Sequence, residues 1–240
     1  MPILYIVATP IGNLEDMTFR ALKILKEVDL ILCEDTRVTK KLLAHYEIKT
    51  PTLSYHQHSK LTKINYILEL LKEGKNLALV SDAGTPGISD PGNKLIAKIL
   101  ELSQSARSYA LCQKDLKAEI IPIPGSSAIT AAASISGFPM DKFLFLGFPP
   151  TKRKREKFFR EVINSKYPVI FYESPYRIIK SLRDLRETDA KLNAKQTRNI
   201  VVCRELTKKF ETIYRGRIEE VIENVKKNPI KGEFVVIVGK

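Results

Sequence analysis

The 240-residue chain has no tryptophan, three cysteines and three histidines. Cys33, Cys112 and Cys203 lie far apart with no C-x-x-C spacing. They therefore offer neither a disulfide framework nor a thiolate metal knuckle, and they read as buried thiols in a reducing, cytoplasmic compartment. Among His45, His56 and His58 there is one i, i+2 pair and no ligand spacing for zinc, so no metal is expected. No apolar stretch nears the roughly 20 residues needed to cross a bilayer, so no membrane role is expected. The opening MPILYIVATP lacks a basic leader segment and reads as a strand. Two nucleotide signatures are also missing: there is no G-x-x-x-x-G-K-[ST], and no G-x-G-x-x-G follows the first apolar run. Acidic charge is scarce too. Forty Lys and Arg against 27 Asp and Glu give a net charge of +13. That excess suits a polyanionic partner such as nucleic acid, or alternatively a solvated basic surface.

What is present alternates. Short apolar runs at Ile3–Ala8, Asp29–Cys33, Leu53–Tyr55 and Leu77–Val80 are separated by stretches of helical periodicity at Asp16–Glu27, Thr36–His45, Lys60–Lys72 and Pro91–Leu102. A second alternation begins near Glu119. Its strands are Ile120–Ile123, Phe143–Phe148, Val169–Tyr172, Ile200–Cys203, Thr212–Tyr214 and Phe234–Val238; its helices are Ser126–Ser136, Lys154–Ile163, Pro175–Leu185 and Ile218–Lys226. The order predicts two α/β domains, residues 1–118 with a mainly parallel sheet and 119–240 with a mixed one. Residues 103–118 show weak periodicity and read as a surface insertion.

In parallel sheets ligands bind beyond the carboxyl ends of the strands. Polar, glycine- and proline-rich loops follow five of the predicted strands: Thr9–Asn13, Glu34–Arg37, Ser81–Gly92, Pro124–Ser127 and Glu173–Arg177. Gly84 and Gly87 permit positive φ or close approach of a ligand to the backbone. Asp82 and Ser81 put acceptors at a strand tip. Asp90 before Pro91 fits a helix N-cap equally well. Ser126 and Ser127 open a helix whose free N–H groups suit an anion, or simply cap it.

The strings TPIGNL, CEDTR, SDAGTPGISDPG, IPIPGSSA, YESPYR, RELTK and GEFVVIV occur in this order over nearly the whole chain. Together they closely resemble the tetrapyrrole methylase family, and within it the bacterial enzymes that modify ribosomal RNA. The resemblance implies S-adenosylmethionine bound in a cleft between the two domains, usually in a homodimer. It implies 2′-O-methylation of a cytidine in the decoding region of 16S rRNA on the small ribosomal subunit. Cofactor positions carried onto this chain are Ile11, Ser81, Asp82, Gly84, Thr85, Pro86, Gly125, Ser126, Ser127 and Ala128, with Tyr172 as a further wall. The chain departs from the pattern at Ser126-Ser127, where Pro-Cys or Pro-Ser is common, and in the length of the 103–118 segment.

A ribose hydroxyl is a poor nucleophile, so a group that takes or orients its proton is expected. Strand-tip candidates are Glu34, Asp35 and Glu173, with Glu205 more remote and Asn13 able to orient the ribose. Arg37, Arg177 and Arg204 could pair with those carboxylates, as structural salt bridges, or hold phosphates. The run Lys152-Arg153-Lys154-Arg155 stands at a predicted helix start, where cations are disfavoured. It reads as an RNA backbone clamp or a solvated face. Two other readings remain open: a small-molecule tetrapyrrole methylase, or a non-catalytic RNA-binding protein on the same fold.

Overall fold

A computed structural model describes residues 1–56, 59–105, 116–192 and 198–240. Cys112, His58 and most of the 103–118 segment lie outside the described residues. The chain divides into two compact units, Met1–Ser127 and Ala128–Lys240.

In the first unit β1 (Ile3–Val7), β2 (Leu30–Cys33), β3 (Thr52–Ser54), β4 (Leu77–Val80) and β5 (Glu119–Ile123) form one sheet, ordered β3-β2-β4-β1-β5. Every pairing is parallel. The inner strands are therefore covered on both faces, and β4, buried throughout, shows how Leu-Ala-Leu-Val meets that demand. Leu77 and Leu79 pack with Leu4, Ile67, Leu71, Leu95 and Ile99, on the side covered by α3 (Leu61–Lys72) and α4 (Asn93–Ser105). Ala78 and Val80 pack with Ala21, Leu25, Ile31 and Leu43, on the side covered by α1 (Phe19–Glu27) and α2 (Thr36–His45). Burying each such Leu, Ile or Val stabilises the fold by about 1.5–3 kcal/mol. The helix expected over 16–27 starts later. A 3₁₀ turn occupies Leu14–Asp16, and Thr18 caps α1 by accepting from the Ala21 N–H at 3.2 Å.

The strand at 119–123 corrects the expected domain boundary. It does not open the second unit but pairs in register with β1, Ile3 opposite Glu119 through Val7 opposite Ile123. The two units thus part after Ser127, not after residue 118.

The second unit carries β6 (Leu144–Phe145), β7 (Val169–Glu173), β8 (Asn199–Arg204), β9 (Thr212–Arg217) and β10 (Phe234–Val238), ordered β6-β7-β10-β8-β9. β6 runs parallel to β7, while β10 is antiparallel to both β7 and β8, and β8 to β9. The sheet is mixed, as expected. One apolar cluster, including Phe159, Val162, Phe171, Leu182, Val202 and Val236, joins it to α6 (Arg155–Asn164), α7 (Ile178–Leu192) and α8 (Ile218–Lys226). The strand expected over 143–148 shrinks to two residues, and α7 runs to Leu192 instead of ending at 185. The short helix α5 (Ala128–Ser134) opens the unit. Among the described residues no helix is long and apolar enough to cross a membrane.

Candidate functional site

Because all five strands of the first sheet are parallel, their carboxyl ends share one edge. Three loops interlock there. Beyond β1 and β4 the chain turns into a short antiparallel pairing: the Thr9 N–H donates to the Gly84 carbonyl at 2.9 Å, and the Gly84 N–H donates back to the Thr9 carbonyl at 3.0 Å. Buried Thr9 and Ser81 reinforce it, with the Thr9 hydroxyl donating to the Ser81 carbonyl at 3.3 Å and the Ser81 hydroxyl to the Ala83 carbonyl at 3.2 Å. The loop after β5 joins through Thr85, whose hydroxyl donates to the Ser126 carbonyl at 3.2 Å, and through Ser126, whose hydroxyl donates to the Asp16 carbonyl at 3.3 Å.

Two glycines make this closeness possible. Gly84 has φ +79°, and a Cβ there would stand 3.3 Å from Ile11 Cγ2. A Cβ on Gly125 would stand 3.0 Å from the Ala8 Cβ, tighter than side chains normally approach. Ile11, Ser81, Gly84, Thr85, Gly125 and Ser126 are therefore neighbours along one sheet edge. Pro86 is buried in the same loop, and Ser127 ends the segment. Thr9, at the centre of the lock, is marked in the sequence only by its place at a strand tip and in the TPIGNL string.

The acidic groups cluster one strand over. Exposed Asp82 accepts from the Asp35 N–H at 3.0 Å, tying the end of β4 to the end of β2. Asp35 caps α2, accepting from the Arg37 N–H at 2.8 Å, and grips the Arg37 guanidinium with Nη2 at 2.6 Å. That grip holds the Asp35 carboxyl down at about 2. Glu34 moves the other way. Burial, then the neighbouring negative charge of Asp82, raises its proton affinity above that of an ordinary glutamate, against an opposing pull from His56. Of the carboxyl groups at this edge, Asp35 is committed to Arg37 and Glu34 is the stronger base.

The remaining expected site residues lie in the second unit. Ala128 opens α5. Tyr172, on β7, packs edge-on against Phe145 at 5.0 Å between ring centres and tilts against Phe148 at 5.4 Å. Glu173 is 2% exposed, and its carboxyl group is fully engaged. It accepts from the Ser174 N–H at 2.8 Å and from the Ser181 hydroxyl, and pairs with Arg177 Nη2 at 2.9 Å. Arg177 also donates to the Pro149 carbonyl at 3.2 Å and to the Ser174 hydroxyl at 3.2 Å.

Arg155 is corrected most sharply. It is not a surface cation but 7% exposed, on the face of α6 that meets α7. Its guanidinium donates to Asp184 at 2.5 Å, to the Ser181 hydroxyl at 2.8 Å and to the Pro150 carbonyl at 3.0 Å, and lies 5.0 Å from the Phe159 ring centre. Arg155 therefore spends its charge inside the protein, and the half-buried Arg177 is committed to Glu173 and the Pro149 carbonyl, so neither is a free surface cation. Glu173, sealed between them, has no route to a substrate. Ser181 and Asp184, which complete the network, have no mark in the sequence except helical spacing on α7. Lys152, Arg153 and Lys154 remain exposed, and among the described residues their side chains make no hydrogen bond or ion pair; the Lys154 carbonyl accepts from the Phe158 N–H at 3.0 Å.

Arg204 and Glu205 are likewise structural. Arg204 is buried and donates to the Lys231 carbonyl at 2.7 Å. Glu205 pairs with Lys208 at 2.9 Å and accepts from the Glu233 N–H at 3.0 Å. Asn13 caps the 3₁₀ turn, accepting from the Glu15 N–H at 3.1 Å.

Comparison with known proteins gives this arrangement a context. Residues 3–222 match the family of Tetrapyrrole (Corrin/Porphyrin) Methylases. The chain is 44% identical over 236 residues to a protein of Halalkalibacterium halodurans named Ribosomal RNA small subunit methyltransferase I, covering 98% of this chain and 75% of that one. It is 42% identical over 234 residues to the protein of the same name from Thermotoga maritima, covering 98% and 96%. Among solved structures it resembles the methyltransferase CobJ, with TM-score 0.69 and 21% identity over 100% of this chain and 95% of that one. It also resembles the cobalt precorrin-4 methyltransferase CbiF, with TM-score 0.66 and 18% identity over 99% and 94%. At such identities these two structures establish the fold alone.

Proposed function

The chain belongs to the family of tetrapyrrole (corrin/porphyrin) methylases, and on that premise we propose that it methylates ribosomal RNA. The methyl donor is S-adenosylmethionine. The acceptor is the 2′-hydroxyl of a cytidine ribose in the decoding region of 16S rRNA, in the small ribosomal subunit, and the enzyme works in the cytoplasm as a homodimer. The observation that carries this reading is the identity, over 98% of the chain, with enzymes named for small-subunit ribosomal RNA. The excess of positive charge agrees with a polyanionic substrate.

The interlocked loops fit the donor. S-adenosylmethionine bears a sulfonium, an ammonium, a carboxylate and ribose hydroxyls, and when bound it supplies an electrophilic methyl group. The edge offers main-chain groups along 83–86, glycines that admit close approach, the exposed Asp82 carboxyl group and the Thr85 and Ser126 hydroxyls. These residues would hold it. The lock between Thr9 and Gly84 fixes the loops before any ligand arrives, so little ordering is left for the reaction step. Glu34 takes the proton of the ribose hydroxyl at its carboxylate. Its raised proton affinity suits that task better than Asp35, held near 2, or Glu173, sealed in its network.

Mass spectrometry of small-subunit rRNA from cells with and without the gene tests this. One ribose methyl on a cytidine should vanish on deletion and return with the wild-type gene. Identical methylation in both strains would refute the assignment.

A further inference from the structure

We propose that Tyr176 is a stacking platform for an unpaired RNA base, with Lys152, Arg153 and Lys154 holding the phosphates that flank it. This rests on the RNA-modifying reading above and adds a residue that sets preference for single-stranded substrate.

Tyr176 is 97% exposed, more than any other tyrosine of the chain described as exposed, and its hydroxyl makes no hydrogen bond among the described residues. A lone exposed aromatic on a loose loop would carry no message. This one sits on a turn braced from below. The Glu173 side chain, 0% exposed, accepts from the Ser174 N–H, while the Arg177 and Ile178 N–H groups both donate to the Ser174 carbonyl, at 3.1 and 3.0 Å. The same arginine reaches the Pro149 carbonyl and so binds the turn to the loop after β6. Since β6 and β7 are parallel, both loops leave the same edge of the sheet. The buried Arg155 pins that second loop through the Pro150 carbonyl. A buried network thus holds two loops together and leaves an aromatic face on one and three uncommitted cations on the other.

The cations also stand where folding alone would not place them. They precede α6, whose N-terminus repels positive charge. Lys154, its N-cap residue, has φ +65° and its side chain makes no capping hydrogen bond. Strain of this kind in a non-glycine residue persists where the surroundings impose it, and it collects at binding sites. An aromatic face with adjacent cations matches a splayed-out base and its backbone. Paired bases in a helix present no free face to stack.

The test uses the full chain and a short, unstructured RNA carrying one 2-aminopurine, read by fluorescence quenching and anisotropy across a salt series. Y176A should abolish the quench and weaken binding about tenfold or more, with an unchanged salt slope. Y176F should keep both quench and affinity. The double variant of Lys152→Ala and Arg153→Ala should lower the magnitude of the salt slope by about 1.4, at about 0.7 per phosphate contact, and keep the quench at saturation. An unchanged melting temperature confirms that Y176A is folded. Wild-type quench and affinity in Y176A would overturn the proposal, as would absence of any quench in the wild type. Calorimetry with S-adenosylhomocysteine on the same samples separates the two ideas. A missing quench with cofactor-product binding intact refutes the Tyr176 role alone, whereas failure to bind S-adenosylhomocysteine refutes the methyltransferase reading itself.

Discussion

Arg155→Met distinguishes a buried strut from a surface cation. Methionine keeps most of the aliphatic stem beside Phe159 and removes the charge. The arginine side chain is 8% exposed and its partner Asp184 30% exposed. Removing one member of a buried pair costs about 3–5 kcal/mol, because the other is left uncompensated. Water can reach Asp184 in part, which points to the lower end, about 3 kcal/mol. The Ser181 hydroxyl and the Pro150 carbonyl lose a donor in the same step. For a chain of this size each kcal/mol moves the midpoint by roughly 3 °C, so the variant should melt about 10 °C lower by circular dichroism. Adding Asp184→Asn should recover part of that loss, since a neutral amide tolerates the missing cation. The salt dependence of RNA binding should keep its slope. A stability loss under about 1 kcal/mol together with a shallower slope would show that Arg155 faces solvent and phosphate, and the network described here would be wrong.

Gly84→Ala should weaken S-adenosylhomocysteine binding about tenfold by calorimetry, since alanine at φ +79° is strained by ~1–2 kcal/mol and its Cβ crowds Ile11. Gly74→Ala, with φ +87° and nothing within 4 Å of its Cβ, carries the same backbone strain before β4, at the other end of the strand, and should leave affinity unchanged, which shows that the loss at Gly84 is local to the loop. Glu34→Gln should reduce the methylation rate about 100-fold or more in single-turnover assays. The wild-type rate should fall as pH drops through the Glu34 value, which lies above the ordinary 4.5 because burial holds the proton. The same shift fixes the sign for stability: the contribution of Glu34 is full below its unfolded value and is lost as pH rises through the folded one. Glu34→Gln should therefore melt no lower than wild type at neutral pH, and a clear loss of stability there would contradict the shift.

Much of the architecture is readable where local chemistry and burial agree. Asp35 before an amphipathic run marks α2 over Thr36–His45, and the short run Leu-Ala-Leu-Val, bounded by turn residues, reads as a strand covered on both sides. The sheet to which a strand belongs is not local information. Glu119–Ile123 looks like the first strand of a new alternation, and only its pairing with Ile3–Val7 assigns it to the old one. The candidate site divides along the same line. The strand-tip loops of the first unit follow from strand direction, and the structure brings them into contact. The basic run does not separate into its members until α6 is in place. Arg155 shares the face of Phe158, Phe159 and Val162, which turns it inward, while Lys152, Arg153 and Lys154 precede the helix and stay outside. That i, i+3, i+4, i+7 spacing was present in the sequence, but a cation at the head of an apolar stripe more often marks its boundary than its interior.

The paired hydrogen bonds between Thr9 and Gly84 make one object of two distant stretches of chain. Neither stretch can be remodelled alone. Changes at Ile11 will be felt at Pro86, and new ligand preferences at this edge must arise through coupled replacements or through bulk supplied from elsewhere on the chain.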